Sequence, residues 1–141
     1  MIKTSALRFG VAALALASAV ATAGAADKPL AGTTLTIASQ NDQVAAVIAK
    51  LAPQFEEKTG ATVKVDILDY GSLLTKTQAD FVGHTKSYDL ITMDIVWAGQ
   101  YAENGYTVDL TELMKRDAAE LQLDDIYPAT IQYIGQYNGK Q

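Results

Sequence analysis

Tyr88-Asp89-Leu90-Ile91-Thr92-Met93-Asp94-Ile95-Val96-Trp97 is the stretch on which the reading of the fold turns. Leu90, Ile91 and Met93 form a nearly continuous apolar segment, which suits a strand buried on both faces of a parallel sheet. Asp94 and Trp97, the only tryptophan in the chain, then fall where the strand ends and the next helix begins. In open α/β sheets ligands bind outside that end of the strands. A carboxylate accepts hydroxyl hydrogen bonds and an indole offers a flat apolar face, so the pair suits a polyhydroxylated solute. The alternative is structural, with Trp97 in the core and Asp94 as a helix N-cap, and residue type alone does not separate the two.

Working towards the N-terminus, Thr62-Val63-Lys64-Val65-Asp66-Ile67-Leu68 alternates as a strand does, and Thr33-Thr34-Leu35-Thr36-Ile37-Ala38 has the β-branched content of another. The polar run Ser39-Gln40-Asn41-Asp42 is expected as a strand-to-helix loop, with Asn41 or Asp42 as the cap. Val44, Val47, Ile48, Leu51 and Phe55 recur at helical spacing, which predicts a helix whose apolar face the sheet covers. Pro53 predicts a kink or short break near Ala52, and Gly60 a left-handed stop. After Asp69-Tyr70-Gly71, Ser72 is expected to cap a helix carrying Leu73, Leu74, Thr77 and Phe81. Strand, helix, strand, helix, strand implies parallel strands in the order 2-1-3. Residues 39–42, 69–72 and 94–97 then emerge at one edge of the sheet, around a cleft between the first and third strands.

Downstream, a helix from about Val96 to Glu103 should stop at Asn104-Gly105, with Tyr106-Thr107-Val108 extended behind it. Asp109 with Glu112 has capping-box spacing, Leu121 to Asp125 is expected as a loop, and Asp125 is expected to cap a last helix. Asn138-Gly139 is a hairpin turn signal without its returning strand, so the chain reads as a fragment.

Residues 1–26 have the form of a secretory signal: Lys3 and Arg8, an apolar run from Phe9 through Val20, then Ala21-Thr22-Ala23 and Ala23-Gly24-Ala25 as small-residue cleavage sites. The formal net charge is −5 and becomes more negative once Lys3 and Arg8 leave. Such an acidic chain lacks the basic stripe that neutralises phosphates, which argues against a nucleic-acid partner. There is no cysteine, so neither a lipid-modified N-terminal cysteine nor a disulfide framework is available. The loop after the first strand is not glycine-rich, which argues against a dinucleotide or P-loop enzyme.

The succession Leu35-Thr36-Ile37-Ala38, Ala52-Pro53-Gln54-Phe55-Glu56-Glu57-Lys58-Thr59-Gly60, Val63-Lys64-Val65, Tyr88 through Trp97 and Asn138-Gly139-Lys140 resembles the start of the family 1 extracellular solute-binding proteins. These are the sugar-type receptors of bacterial ABC importers. The resemblance implies an α/β periplasmic-binding-protein lobe. Residues 27–141 would be the N-terminal part of lobe 1, and the second lobe would lie beyond them. It also implies a periplasmic, monomeric receptor without enzymatic activity or cofactor, which captures a sugar or polyol and delivers it to the permease subunits. Carried over by position, the ligand contacts are Gln40, Asn41 and Asp42; Tyr70, Gly71 and Ser72; and Asp94 with Trp97. Asp42 and Asp94 would accept ligand hydroxyls, Gln40 and Asn41 would donate and accept, and Trp97 or Tyr70 would stack on the solute. Capping is an equal alternative for Asp42 and Ser72, and packing stands ahead of stacking for Tyr70.

Three rivals remain at this stage. A receptor for another solute, such as a polyamine or chelated iron, would share the same lobe. An exported α/β enzyme or phospho-acceptor domain could hold a divalent metal between Asp42 and Asp94, although no nucleophile and base arrangement accompanies them. Lastly, the fragment alone could lack function, with unpartnered apolar faces. His84 is alone in a polar segment and reads as solvated.

Overall fold

β1 (Thr34–Gln40) is the hub: it pairs in parallel with β2 (Thr62–Leu68) on one side and β3 (Leu90–Ile91) on the other, giving the sheet order β2-β1-β3. The computed structural model describes residues 28–141, so the expected export signal lies outside the described residues. Thr34 stands opposite Thr62, Gln40 opposite Leu68, and Ile37 and Ala38 opposite Leu90 and Ile91. Three helices complete the strand–helix alternation: α1 (Gln43–Thr59), α2 (Tyr70–Gly83) and α3 (Ile95–Glu103). The expected order 2-1-3 is therefore observed.

Two details of the sheet differ from expectation. Ser39 and Gln40 belong to β1 rather than to a loop, because pairing with β2 continues through Gln40 opposite Leu68. β3 is short and lies at an edge, so it is not buried on both faces: Leu90 and Met93 are exposed. Side chains extend its ladder at both ends. The Thr36 N–H donates to Asp89 Oδ2 at 2.8 Å, and the Gln40 N–H donates to Thr92 Oγ1 at 3.0 Å. Each replaces a main-chain acceptor where the backbone of the third strand diverges.

Asp42 caps α1, its Oδ1 accepting the Val44 and Ala45 N–H groups at 2.8 and 3.2 Å. The helix runs through Pro53 without the expected break. It stops at Gly60, whose φ of 79° is the left-handed conformation glycine adopts without strain. The face turned inward is not the predicted one. Ala45 is buried and Ile48, Ala52 and Glu56 are half-buried, whereas Val44, Val47, Leu51 and Phe55 are exposed. The reason is a rotational anchor: Glu56 Oε1 accepts the Val63 N–H at 2.7 Å, which holds this line of the helix towards the sheet. Ala45 and Ala52 on that line permit close approach, and of the expected apolar stripe only Ile48 is partly covered.

α2 is capped by Asp69 rather than Ser72. Asp69 Oδ1 accepts the Ser72 N–H at 3.0 Å, and the Ser72 hydroxyl donates to Oδ2 at 2.6 Å. The core lies where α2 and α3 meet the sheet: Ala38, Leu68, Leu73, Trp97 and Tyr101 form one buried cluster, with Phe81, Tyr88, Ile91 and Tyr106 packed against it. Tyr101 is wholly buried, and its hydroxyl meets Thr77 Oγ1 at 3.0 Å. Asp80, also buried, ties down the segment before β3 by accepting the Ser87 N–H at 2.7 Å and the Thr85 hydroxyl.

Beyond α3 the chain forms α4 (Thr111–Arg116), α5 (Ala118–Leu121), a 3-10 turn (Leu123–Asp125) and α6 (Pro128–Tyr133). Tyr106 to Val108 is irregular rather than a strand. Asp109 bonds the Thr111 N–H at 3.0 Å, but Glu112 pairs forward with Lys115 instead of closing a capping box. Asp125 sits in the 3-10 turn, and α6 has Pro128 in its first turn and no side-chain cap. Asn138-Gly139 makes the expected turn, with φ of 49° and 75° and Tyr137 bridged to Lys140. Among the described residues no helix is long and apolar enough to cross a membrane.

Candidate functional site

Parallel pairing carries the C-terminal ends of all three strands to one edge, and hydrogen bonds lock the following segments together there. Asn41 donates its N–H to the Leu68 carbonyl at 2.7 Å, tying the end of β1 to the end of β2. Gln40 is held against Thr92, just past β3. Tyr70, the first residue of α2, donates its hydroxyl to Asp94 Oδ2 at 3.1 Å, joining the second and third segments. Gln40, Asn41, Asp42, Tyr70, Gly71, Ser72 and Asp94 thus occupy one rim, bound to it by the backbone or by each other.

The side chains on this rim are unequally available. Asn41, Asp42, Tyr70 and Gly71 are exposed, while Gln40, Ser72 and Asp94 are partly covered. Asp42 and Asp94 are both N-caps, Asp94 Oδ1 accepting the Val96 N–H at 3.3 Å. Each carboxylate keeps acceptor capacity beyond its capping bond. Ser72 is the most committed residue, since its N–H and hydroxyl both go to Asp69. These bonds hold the Asp69 carboxyl below the usual carboxylate range, the Ser72 hydroxyl contributing most.

Trp97 keeps its ring inside. It is 6 % exposed, stands 6.2 Å from Tyr101 between ring centroids, and is covered by Tyr70 at 4.8 Å and 48°. The aromatic surface offered to solvent is therefore that of Tyr70, which is 43 % exposed and backed by the indole. Desolvation, and then the hydrogen bond to Asp94, push the Tyr70 hydroxyl above its ordinary pKa, so it stays a neutral donor at physiological pH. Exposed amides, two capping carboxylates and one supported aromatic ring make a rim suited to several hydroxyls on a small carbon frame.

Three residues of the expected edge segments to which the sequence assigns no ligand contact also reach this rim. Ile95 and Val96, in the first turn of α3, are exposed beside Asp94, and Asp69 caps α2 next to Tyr70. Their position directly after a strand was the available signal; their apolar or capping character hid it. A separate cavity of about 470 Å³ lies between α3 and the last residues of the chain, lined by Ala98, Ala102, Val108, Ile134 and Tyr137 among others. None of the expected site residues lines it. Among the described residues no group of three or more His, Asp or Glu side chains is gathered as a metal site.

Comparison with known proteins gives the family. Residues 17–139 match the family described as bacterial extracellular solute-binding protein, and the chain belongs to that family, which is a family of binding proteins rather than of enzymes. Among solved structures, the chain is similar to an ABC transporter solute-binding protein from Agrobacterium radiobacter K84, crystallised in complex with ribitol. The two are 66 % identical, with a TM-score of 0.77, over 80 % of this chain and 28 % of the other. The chain thus spans about a quarter of that receptor's length. A comparison with curated protein sequences gives no significant match.

Proposed function

We propose that this chain is the first part of lobe 1 of a two-lobe, periplasmic receptor that captures a polyol or sugar and hands it to the permease of an ABC importer. In this reading residues 1–26 direct export and are removed, and residues 27–141 carry one wall of the solute cleft. The carrying observation is the rim at the C-terminal edge of the sheet, where hydrogen bonds join three segments rich in hydroxyl-binding groups. Identity of 66 % to a ribitol-bound receptor supports a polyol as the ligand class. The exposed line Val44, Val47, Leu51 and Phe55 on α1 and the open side of β3 are surfaces that the remainder of such a receptor would cover.

Within the rim, Asn41 and Gln40 exchange hydrogen bonds with ligand hydroxyls, and Asp42 and Asp94 accept from them while continuing to cap their helices. Tyr70 lies flat against the carbon frame, with Trp97 supporting it from beneath. No residue needs to form or break a covalent bond, so the receptor is not an enzyme.

Isothermal titration of the full-length receptor against pentitols, hexitols, monosaccharides, a polyamine and ferric chelates tests the reading. Binding confined to polyols or sugars supports it. Binding confined to the polyamine or the iron chelate overturns the solute class, and a rim tripled in alanine (Gln40, Asn41 and Tyr70) that still binds ribitol normally overturns the site.

A further inference from the structure

We infer that Thr92 is a positioning residue for solute binding: its hydroxyl latches the end of β1 so that Gln40 and Asn41 face the cleft in a fixed geometry. The inference rests on the receptor reading above and adds to it a residue that touches no solute.

The latch follows from where the sheet runs out. β3 pairs with β1 only at Leu90 and Ile91, and the Thr92 N–H donates to the Ala38 carbonyl at 2.9 Å as the last main-chain bond between them. Past this point the third segment turns away towards Asp94 and α3, while β1 continues to Gln40. The Gln40 N–H on that side finds the Thr92 hydroxyl at 3.0 Å instead of a carbonyl. The same oxygen lies 3.3 Å from Ser39 Oγ. Since it accepts from Gln40, its own proton is free to go to Ser39, whose side chain is wholly buried. One hydroxyl thus satisfies a strand-end N–H and a buried serine together.

On the other side, Asn41 is fixed by the Leu68 carbonyl. The backbone of residues 40 and 41 is consequently pinned from both neighbouring segments, with Thr92 the sole side chain among the described residues doing so. A binding group held within a fraction of an ångström needs less ordering when the solute arrives, which is how pre-organisation raises affinity. The contribution of Thr92 is its hydroxyl, which makes both bonds. Serine would keep the bonds and valine would keep the shape.

Thr92→Val and Thr92→Ser in the full-length receptor test this, with Gln40→Ala beside them. The assays are ribitol titration, thermal unfolding and amide hydrogen exchange at Gln40. The expected result is that Thr92→Val raises the ribitol Kd about tenfold and speeds Gln40 exchange at least tenfold, while Thr92→Ser stays within about twofold of wild type on both. Thermal unfolding of the two variants fixes how much of each receptor is folded at the titration temperature, and the Kd is referred to that fraction. Weakening by Gln40→Ala without weakening by Thr92→Val overturns the latch alone. Equal weakening by valine and serine also overturns it, because the hydroxyl is then irrelevant. Unchanged ribitol binding in both Gln40→Ala and Thr92→Val overturns the site reading and the latch with it.

Discussion

Replacing Trp97 separates its two possible roles, as a wall of the solute cleft or as the floor beneath it. The indole is 6 % exposed and packs in one cluster with Ala38, Leu68, Leu73 and Tyr101. Trp97→Ala removes a large buried ring and leaves a cavity, at a cost of about 3–5 kcal/mol. That is a large share of the roughly 5–15 kcal/mol that a domain of this kind commands. Trp97→Phe keeps a ring at the centre of the cluster and costs about 1–2 kcal/mol. Because Tyr70, 4.8 Å away, is the ring that meets solvent, Trp97→Phe should change ribitol affinity of the full-length receptor by less than about threefold. Tyr70→Ala should weaken it about five- to tenfold and, by uncovering the indole, cost about 1–2 kcal/mol of stability. Urea unfolding monitored by far-ultraviolet circular dichroism, with isothermal titration on the same preparations, reads both effects. If Trp97→Phe abolished ribitol binding while leaving the urea midpoint unmoved, the indole would be touching solute and the assignment of Trp97 to the core would be refuted.

Three further outcomes follow from the same geometry. Asp80 is buried; burial pushes its carboxyl up, but the Thr85 and Ser87 hydrogen bonds outweigh this and hold it below the ordinary value of 3.8. The stability it supplies is full above that value and is lost as pH falls through the depressed one, so Asp80→Asn should cost about 1–3 kcal/mol at neutral pH and flatten the acid limb of stability. Burial first, and then the 2.8 Å hydrogen bond to Asp66, push Tyr88 up to about 12. Its contribution is therefore complete below pH 10 and is lost between 10 and about 12; Tyr88→Phe should remove that alkaline dependence in pH-resolved urea titrations. Gly60→Ala meets both a left-handed backbone and a Cβ placed 2.8 Å from that of Lys28, so it should lower the thermal midpoint by an amount equivalent to about 1–2 kcal/mol.

The sheet order and the three-part rim were legible because they depend on pattern alone. Strand-like alternation, helix caps and the order of elements require parallel pairing, and parallel pairing brings residues 39–42, 69–72 and 94–97 to one edge. What escaped depends on side chains meeting across the fold. The inward face of α1 is set by Glu56 reaching the Val63 N–H, a contact that spacing within the helix does not encode, so spacing points the larger apolar stripe inward. The sequence points to Ser72 as the cap of α2, but both residue types cap helices and only the backbone start at Tyr70 gives the role to Asp69. Trp97 fits the composition of a sugar site and of a core equally well. Its burial becomes visible only once Tyr70 is seen lying over it. Thr92 interrupts the apolar run of Leu90, Ile91 and Met93 in sequence, and its hydroxyl completes the ladder where the main chain of β3 departs.

Amide chemical-shift mapping of the isotopically labelled full-length receptor during a ribitol titration tests the central claim most directly. The account predicts saturable shifts concentrated at Gln40, Asn41, Asp42, Tyr70 and Asp94 within this part of the chain. Shifts absent from those residues and gathered instead around Ala98, Val108 and Ile134, beside the separate cavity, would contradict it.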